Sequence, residues 1–182
     1  MITITKRQEQ IIHATILGGS SLVYSNKSIN PYLSMRSKNN NWLQFKSNEL
    51  KNIISPSPFT LEKTNRWHSK SISALNDMYD SFYDQNKNRK LNKKILDLLT
   101  DFAFSIWYGD AGSFKNGKII LNTNVWGENG TQIIESYFKD IGYECSVFLS
   151  RECYRVRLDK DSSKEFFSLA SPHFPPFLYY KC

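Results

Sequence analysis

The 182-residue sequence is poor in the residues that staple small folds together, with three cysteines and three histidines. Cys145, Cys153 and Cys182 cannot all pair within one chain, and none belongs to a Cys-x-x-Cys, so free thiols in a reducing compartment are expected. His13, His68 and His173 do not cluster with them, which argues against a zinc site. No apolar run approaches the length of a transmembrane helix, and residues 1–9 lack the apolar core of a signal peptide. A cytoplasmic or organellar-matrix location is the expectation. The sequence also has no Gly-x-Gly-x-x-Gly after a strand and no Gly-Lys-Ser/Thr. No hydrolase constellation forms around Gly18-Gly19-Ser20-Ser21 or any histidine.

Negative charge is scarce in one half only. Residues 1–92 hold 13 Lys/Arg against 6 Asp/Glu, whereas residues 93–182 hold 11 of each, so the first half carries the whole net charge of +7. A basic excess favours a polyanionic partner. Hydrophobic content of 40%, with 14% aromatics, suffices for a packed core in one compact domain or two small fused ones.

The chain is organised around residues 101–114, Asp-Phe-Ala-Phe-Ser-Ile-Trp-Tyr-Gly-Asp-Ala-Gly-Ser-Phe. Small residues alternate with large apolar ones, so a second backbone can approach one side closely. The helix runs into the turn Gly109-Asp110-Ala111-Gly112, and the Asn116-Gly117 that follows signals a hairpin. A weaker copy lies at Ile12-His13-Ala14-Thr15-Ile16-Leu17-Gly18-Gly19-Ser20-Ser21-Leu22. Aligning Gly19 with Ala111 gives an offset of 92 residues, about half the chain, which suggests two similar halves around a pseudo-twofold axis.

Both stretches resemble the LAGLIDADG motif of homing endonucleases, the second through Trp107-Tyr108-Gly109-Asp110-Ala111-Gly112-Ser113. The resemblance implies an α+β fold. Two pseudo-symmetric αββαββα repeats would form a saddle of antiparallel sheets around two central packed helices. Ala14, Gly18, Gly19, Ser105, Gly109, Ala111 and Gly112 would make the helix contact. The first repeat is placed at residues 1–86, a polar linker at 87–94 and the second repeat at 95–182. In that family the metal-binding acid precedes the motif's glycine. Here that position holds Ala111 in one half and Gly19 in the other, leaving Asp110, one residue early, as the candidate catalytic acid and metal ligand. Asp110 could equally cap the turn through the amide of Gly112 or Ser113.

Taken in order, helices are expected at 6–18, 41–54, 73–83, 95–110, 130–141 and 161–170, the last capped by Asp161. Hairpins are expected at 20–38, 113–125 and 143–158, with one or two short strands within 59–70. Ser55-Pro56-Ser57-Pro58 should end the second helix. In the strand at 32–38, Tyr32, Ser34, Arg36 and Lys38 share one face and Leu33 and Met35 the other. Arg155 and Arg157 share a face likewise. His13, within an apolar stretch, reads as a structural histidine.

The resemblance implies duplex DNA under the saddle, contacted by Tyr32, Ser34, Arg36, Lys38, Arg66, Lys70, Lys115, Lys118, Asn122, Asn124, Arg155 and Arg157. It also implies Mg2+ as the cofactor of cleavage and a monomer with internal pseudosymmetry. Three readings are open. The chain is a homing-type endonuclease or nickase using Asp110. It is a cleavage-dead relative that binds DNA as a regulator or structured intron RNA as a maturase. Or it is a repurposed fold with a protein partner.

Overall fold

The computed structural model describes residues 2–53, 59–61 and 64–181. Helix α1 (Lys6–Leu17) leads into the hairpin β1 (Ser21–Tyr24) and β2 (Pro31–Ser37), then α2 (Asn40–Glu49), β3 (Phe59–Leu61), β4 (Thr64–His68) and α3 (Asn76–Phe82). A short α4 (Lys93–Leu96) follows. The pattern then repeats as α5 (Asp101–Ala111), β5 (Gly112–Lys115), β6 (Lys118–Asn122), α6 (Gly127–Asp140), β7 (Cys145–Ser150), β8 (Cys153–Leu158) and α7 (Lys160–Ala170). Each half is therefore αββαββα and contributes one antiparallel four-stranded sheet, ordered β1-β2-β4-β3 and β5-β6-β8-β7. The expected α+β class and repeat pattern are what the chain adopts.

Local chemistry accounts for the element ends. Thr5 and Gln8 form a reciprocal capping box at the start of α1, which satisfies two otherwise orphaned amides. Asn39, Thr100 and Asp159 cap α2, α5 and α7 through their side-chain oxygens. The cap of α7 is thus Asp159, not Asp161, because the Asp159 carboxylate accepts from the Ser162 amide at 2.8 Å. The expected single helix over 95–110 is two pieces, because Thr100 caps a new start at Asp101. Asn116 and Gly117 take φ of 54° and 77°, the left-handed conformations that a tight hairpin of this kind requires. Helix α2 is shorter than expected, and Ile54 and the Ser55-Pro56-Ser57-Pro58 break lie outside the described residues.

The core runs across both halves. Helices α1 and α5 lie side by side in the same direction. Near their starts, Gln10 of α1 accepts from the Thr100 amide at 3.0 Å and donates to the Leu98 carbonyl at 2.8 Å. Near their ends a Cβ on Gly18 would overlap the Asp110 side chain, so only glycine permits this approach. Ala14 is fully buried, and Ser105 returns its hydroxyl to the Phe102 carbonyl at 2.6 Å. Along α5, Trp107 stacks on Phe138 and Tyr108 on Phe174, with ring centroids 5.8 and 5.6 Å apart. Cys145 and Cys153 sit at opposite ends of the β7–β8 hairpin as half-buried free thiols. Burial pushes the Cys145 thiol up to about 11. Among the described residues no helix is long and apolar enough to cross a membrane.

His13 is structural, buried with its ring against Phe82 and with no partner for Nδ1 among the described residues. Burial holds its pKa below the ordinary 6.5, a shift that Glu9 partly offsets and Lys6 adds to. The unfolded chain therefore takes up a proton that the folded chain resists. No cost arises above the ordinary value, and stability is lost as pH falls below it. Urea midpoints should drop between pH 7.5 and 5.5, and His13→Met should shrink that drop. An equal drop in both proteins would show that another group carries the acid sensitivity.

Candidate nucleic-acid interface and helix junction

The strand registers sort the polar residues. In the first sheet Leu33 and Met35 enter the core, which turns Tyr32, Ser34 and Arg36 outward. Ser34 pairs with His68 and Arg36 with Arg66 across β2–β4, so His68 and Arg66 share that outer face. In the second sheet Ile119, Leu121 and Val156 are buried, which turns Ser113, Lys115, Lys118, Asn122, Arg155 and Arg157 outward. Arg157 lies over the Phe148 ring at 5.2 Å.

Superimposing the registers shows which positions correspond. Ser21 pairs with Ser34 and Ser113 with Ile120, so Ser34 corresponds to Ile120 and Arg36 to Asn122. On the inner strands His68 then corresponds to Arg157 and Arg66 to Arg155. Arg66 and Arg155 are alike in environment as well as position, because the Nε of each is buried with no hydrogen-bond partner among the described residues. His68, half-buried beside Arg66 and 5.0 Å from the Tyr32 ring, is held below its ordinary pKa by burial first and by Arg66 second. Three candidates lie off the strands. Lys38 and Lys70 are exposed beyond the ends of β2 and β4. Asn124 sits in a 3-10 turn after β6, and its side-chain Oδ1 accepts from the Tyr154 amide at 3.3 Å.

The ends of α1 and α5 meet between the two sheets. Asp110 does not cap its own turn. Its Oδ1 accepts from Trp42 Nε1 at 2.6 Å and from Lys46 Nζ at 2.7 Å, and its Oδ2 accepts from the same ammonium at 2.9 Å. The pair is buried, with the Lys46 side chain 0% exposed and that of Asp110 8%. Both partners come from α2 of the other half. Gly109 makes room for them, since a Cβ there would overlap the Trp42 indole. The reverse reach is made by Trp126, whose Nε1 donates to the Leu17 carbonyl at the end of α1 at 3.1 Å. Arg89, inside the stretch expected to be a linker, donates to the Ser20 carbonyl at 2.6 Å and to Ser21 Oγ at 2.8 Å. Its guanidinium lies over Trp126 at 5.3 Å, and burial lowers its pKa.

Sequence reasoning missed Lys46, Arg89 and the cross-half role of the two tryptophans. Trp42 was legible only as one of the apolar residues of α2. Lys46, one turn on from Trp42, carried the remaining signal, a lysine on the buried side of an amphipathic helix.

The donor set decides whether the junction suits the divalent ion that the resemblance implies. Mg2+ is held by carboxylate oxygens with free lone pairs together with substrate phosphates. Gly19 and Ala111 offer no side-chain donor, and both oxygens of Asp110 already accept from Lys46, whose buried ammonium matches its charge. Among the described residues no group of three His, Cys, Asp or Glu is placed to hold a metal. The residues do not fit the ion, and no hydrolytic step follows from them.

Two αββαββα halves, crossed by paired motif helices under two outward-facing basic sheets, define the saddle fold of the homing endonucleases. Residues 9–166 match the LAGLIDADG DNA endonuclease family, and the chain belongs to it. It is 23% identical over 107 residues to the intron-encoded endonuclease ai4 of Dictyostelium discoideum, covering 57% of this chain and 67% of that protein. Among solved structures it is similar to the homing endonuclease I-WcaI bound to its DNA recognition sequence, with a TM-score of 0.87, 18% identity and coverage of 100% and 88% of the two chains. It is also similar to I-DmoI in complex with DNA and Mn, with a TM-score of 0.62, 13% identity and coverage of 93% and 99%.

Removing one partner of a buried ion pair strands the other charge. Lys46→Met should lower unfolding free energy by about 3–5 kcal/mol. Combining it with Asp110→Asn should cost less than the two single changes added together. Urea denaturation of the two single variants and the double variant checks this. A Lys46→Met loss below about 0.5 kcal/mol, the scale of an ordinary surface change, would show that the pair does not hold the halves together.

Proposed function

We propose that the chain binds double-stranded DNA sequence-specifically across the outer faces of its two sheets, as a monomer with internal pseudosymmetry. The observation that carries this reading is the matched pair Arg66 and Arg155, equivalent in the two halves and each with an Nε that has no partner among the described residues. Family membership supports a nucleic-acid partner, and the basic first half supplies attraction to a polyanion.

In this reading Lys38, Lys70, Lys115 and Lys118 take phosphates and set register, while Ser34, Asn122, Arg155 and Arg157 meet base edges in the major groove. Arg suits guanine and Asn suits adenine. Ser34 is equivalent to Ile120 and His68 to Arg157, so the two halves read differently and the recognised site should not be a perfect palindrome. Structured RNA is the other polyanion that basic sheets could meet. Its shape-based recognition uses the minor groove and unpaired bases, so direct competition separates the two.

Selection of bound duplexes from a random library at physiological salt tests the reading. One long, asymmetric enriched site is expected, with affinity falling steeply as salt rises. Lys115→Ala should flatten the salt slope by about one ion and weaken all sequences alike. Arg155→Ala should cost about 1–3 kcal/mol, chiefly on the enriched site. Lys164→Ala, on the far side in α7 and paired with Asp161, should change neither. Enrichment of no duplex, or preference for folded RNA over the best duplex, would sink the reading.

A further inference from the structure

The junction between the motif helices opens into a recess of about 300 Å3, lined in part by Gly18, Gly19, Arg36, Lys38, Asp110 and Asn122. A second recess of about 190 Å3 adjoins it, where Arg36 and Arg66 meet the hydroxyl side chains of Ser20, Ser21 and Ser34. Arg36 and Lys38 bring two positive charges to the larger recess. Its acid, Asp110, is already matched by the buried ammonium of Lys46. The space where motif acids would stand is left as backbone and a methyl group at Gly19 and Ala111. A divalent cation entering here meets net positive charge and no open carboxylate. A phosphate oxygen meets guanidinium, ammonium and hydroxyl donors.

Resting on the duplex-binding reading, we infer that this recess takes a backbone phosphate of the bound DNA directly on Arg36, Lys38 and Arg66. Lys46 serves there as a built-in cation in place of a divalent metal, so the protein holds its site without cutting it. Three features agree on this: the neutralised carboxylate, the missing donors at positions 19 and 111, and the cationic lining. Lys46 is a positioning residue, because it is fully buried and acts on the recess only by neutralising Asp110 and fixing Trp42.

Two measurements separate this inference from the reading beneath it. The first is titration of the DNA-free protein with Mn2+, followed by electron paramagnetic resonance. No site of micromolar affinity is expected, and Asp110→Asn should leave the titration unchanged. A stoichiometric Mn2+ site lost in Asp110→Asn would overturn the inference whatever the DNA result. The second takes the enriched duplex in EDTA, Mg2+ and Mn2+. Affinity in EDTA should lie within about threefold of that in Mg2+ at matched ionic strength, and both strands should stay intact. Arg36→Gln should weaken binding about tenfold or more in EDTA and Mg2+ alike. Strand cleavage, or binding that needs the metal, would overturn the inference and leave duplex recognition standing. Failure to enrich any duplex would overturn recognition and the phosphate contact with it. The Mn2+ titration would still decide the metal half.

Discussion

Everything in this fold hangs on how closely two helices approach at their C-terminal ends. The crossing works because Gly18 has no side chain where Asp110 needs space. A carboxylate pressed against another backbone, away from water, must find partners or the approach fails. It finds them in Lys46 and Trp42 of α2, which belongs to the opposite half. The contact that sets the helix spacing therefore also sets the relation of the two sheets, since α2 packs on the first sheet and α5 feeds directly into the second.

The halves are braced reciprocally but with different chemistry. Trp42 reaches from the first half to the end of α5, and Trp126 from the second half to the end of α1. The last carbonyls of a helix are orphaned by its geometry. At α1 the Leu17 carbonyl is satisfied by Trp126, and Arg89 lies close to the Ile16 carbonyl at 3.4 Å. A guanidinium at a helix C-terminus is also favourable for the helix dipole. At α5 the reach from the other half ends on a side chain instead, the Asp110 carboxylate held by Lys46 and Trp42. Pseudosymmetry thus holds for the backbone and breaks at the junction, where one motif ends in glycine and the other in a neutralised acid.

The sequence made the architecture readable because its signals were periodic or local. Alternation in β2 and β8, the Asn116-Gly117 turn and the 92-residue offset all survive translation into structure. What stayed hidden was non-local. Lys46 and Asp110 are 64 residues apart, and the helical pattern that puts Lys46 on the buried side of α2 does not say which acid it meets. Asp110 read equally as a metal ligand or a turn cap, because both roles need only an acid near a helix end. The residues that close the question come from another element. The same holds for Arg89, which looked like one charge in a polar linker and instead lies against Trp126. Helix boundaries moved for a smaller reason, since Thr100 and Asp159 outcompete their neighbours as caps.

The buried pair has an electrostatic consequence at the DNA-facing surface. A free carboxylate at the centre of the saddle would repel the phosphates that the sheets attract, and a bound divalent ion is one way to cancel that repulsion. An internal ammonium cancels it without any ion from solution. Removing two charges from water is expensive, and a lysine ion pair in the interior is seldom a net gain over apolar packing. Its persistence here makes sense if the relevant comparison is with Asp110 unpaired beside DNA, where desolvation and phosphate repulsion add. Against that alternative the 2.7 Å contact to Lys46 is favourable twice over, once in joining the halves and once in leaving the positive charge of Arg36, Arg66 and Lys38 unopposed at the adjoining recesses.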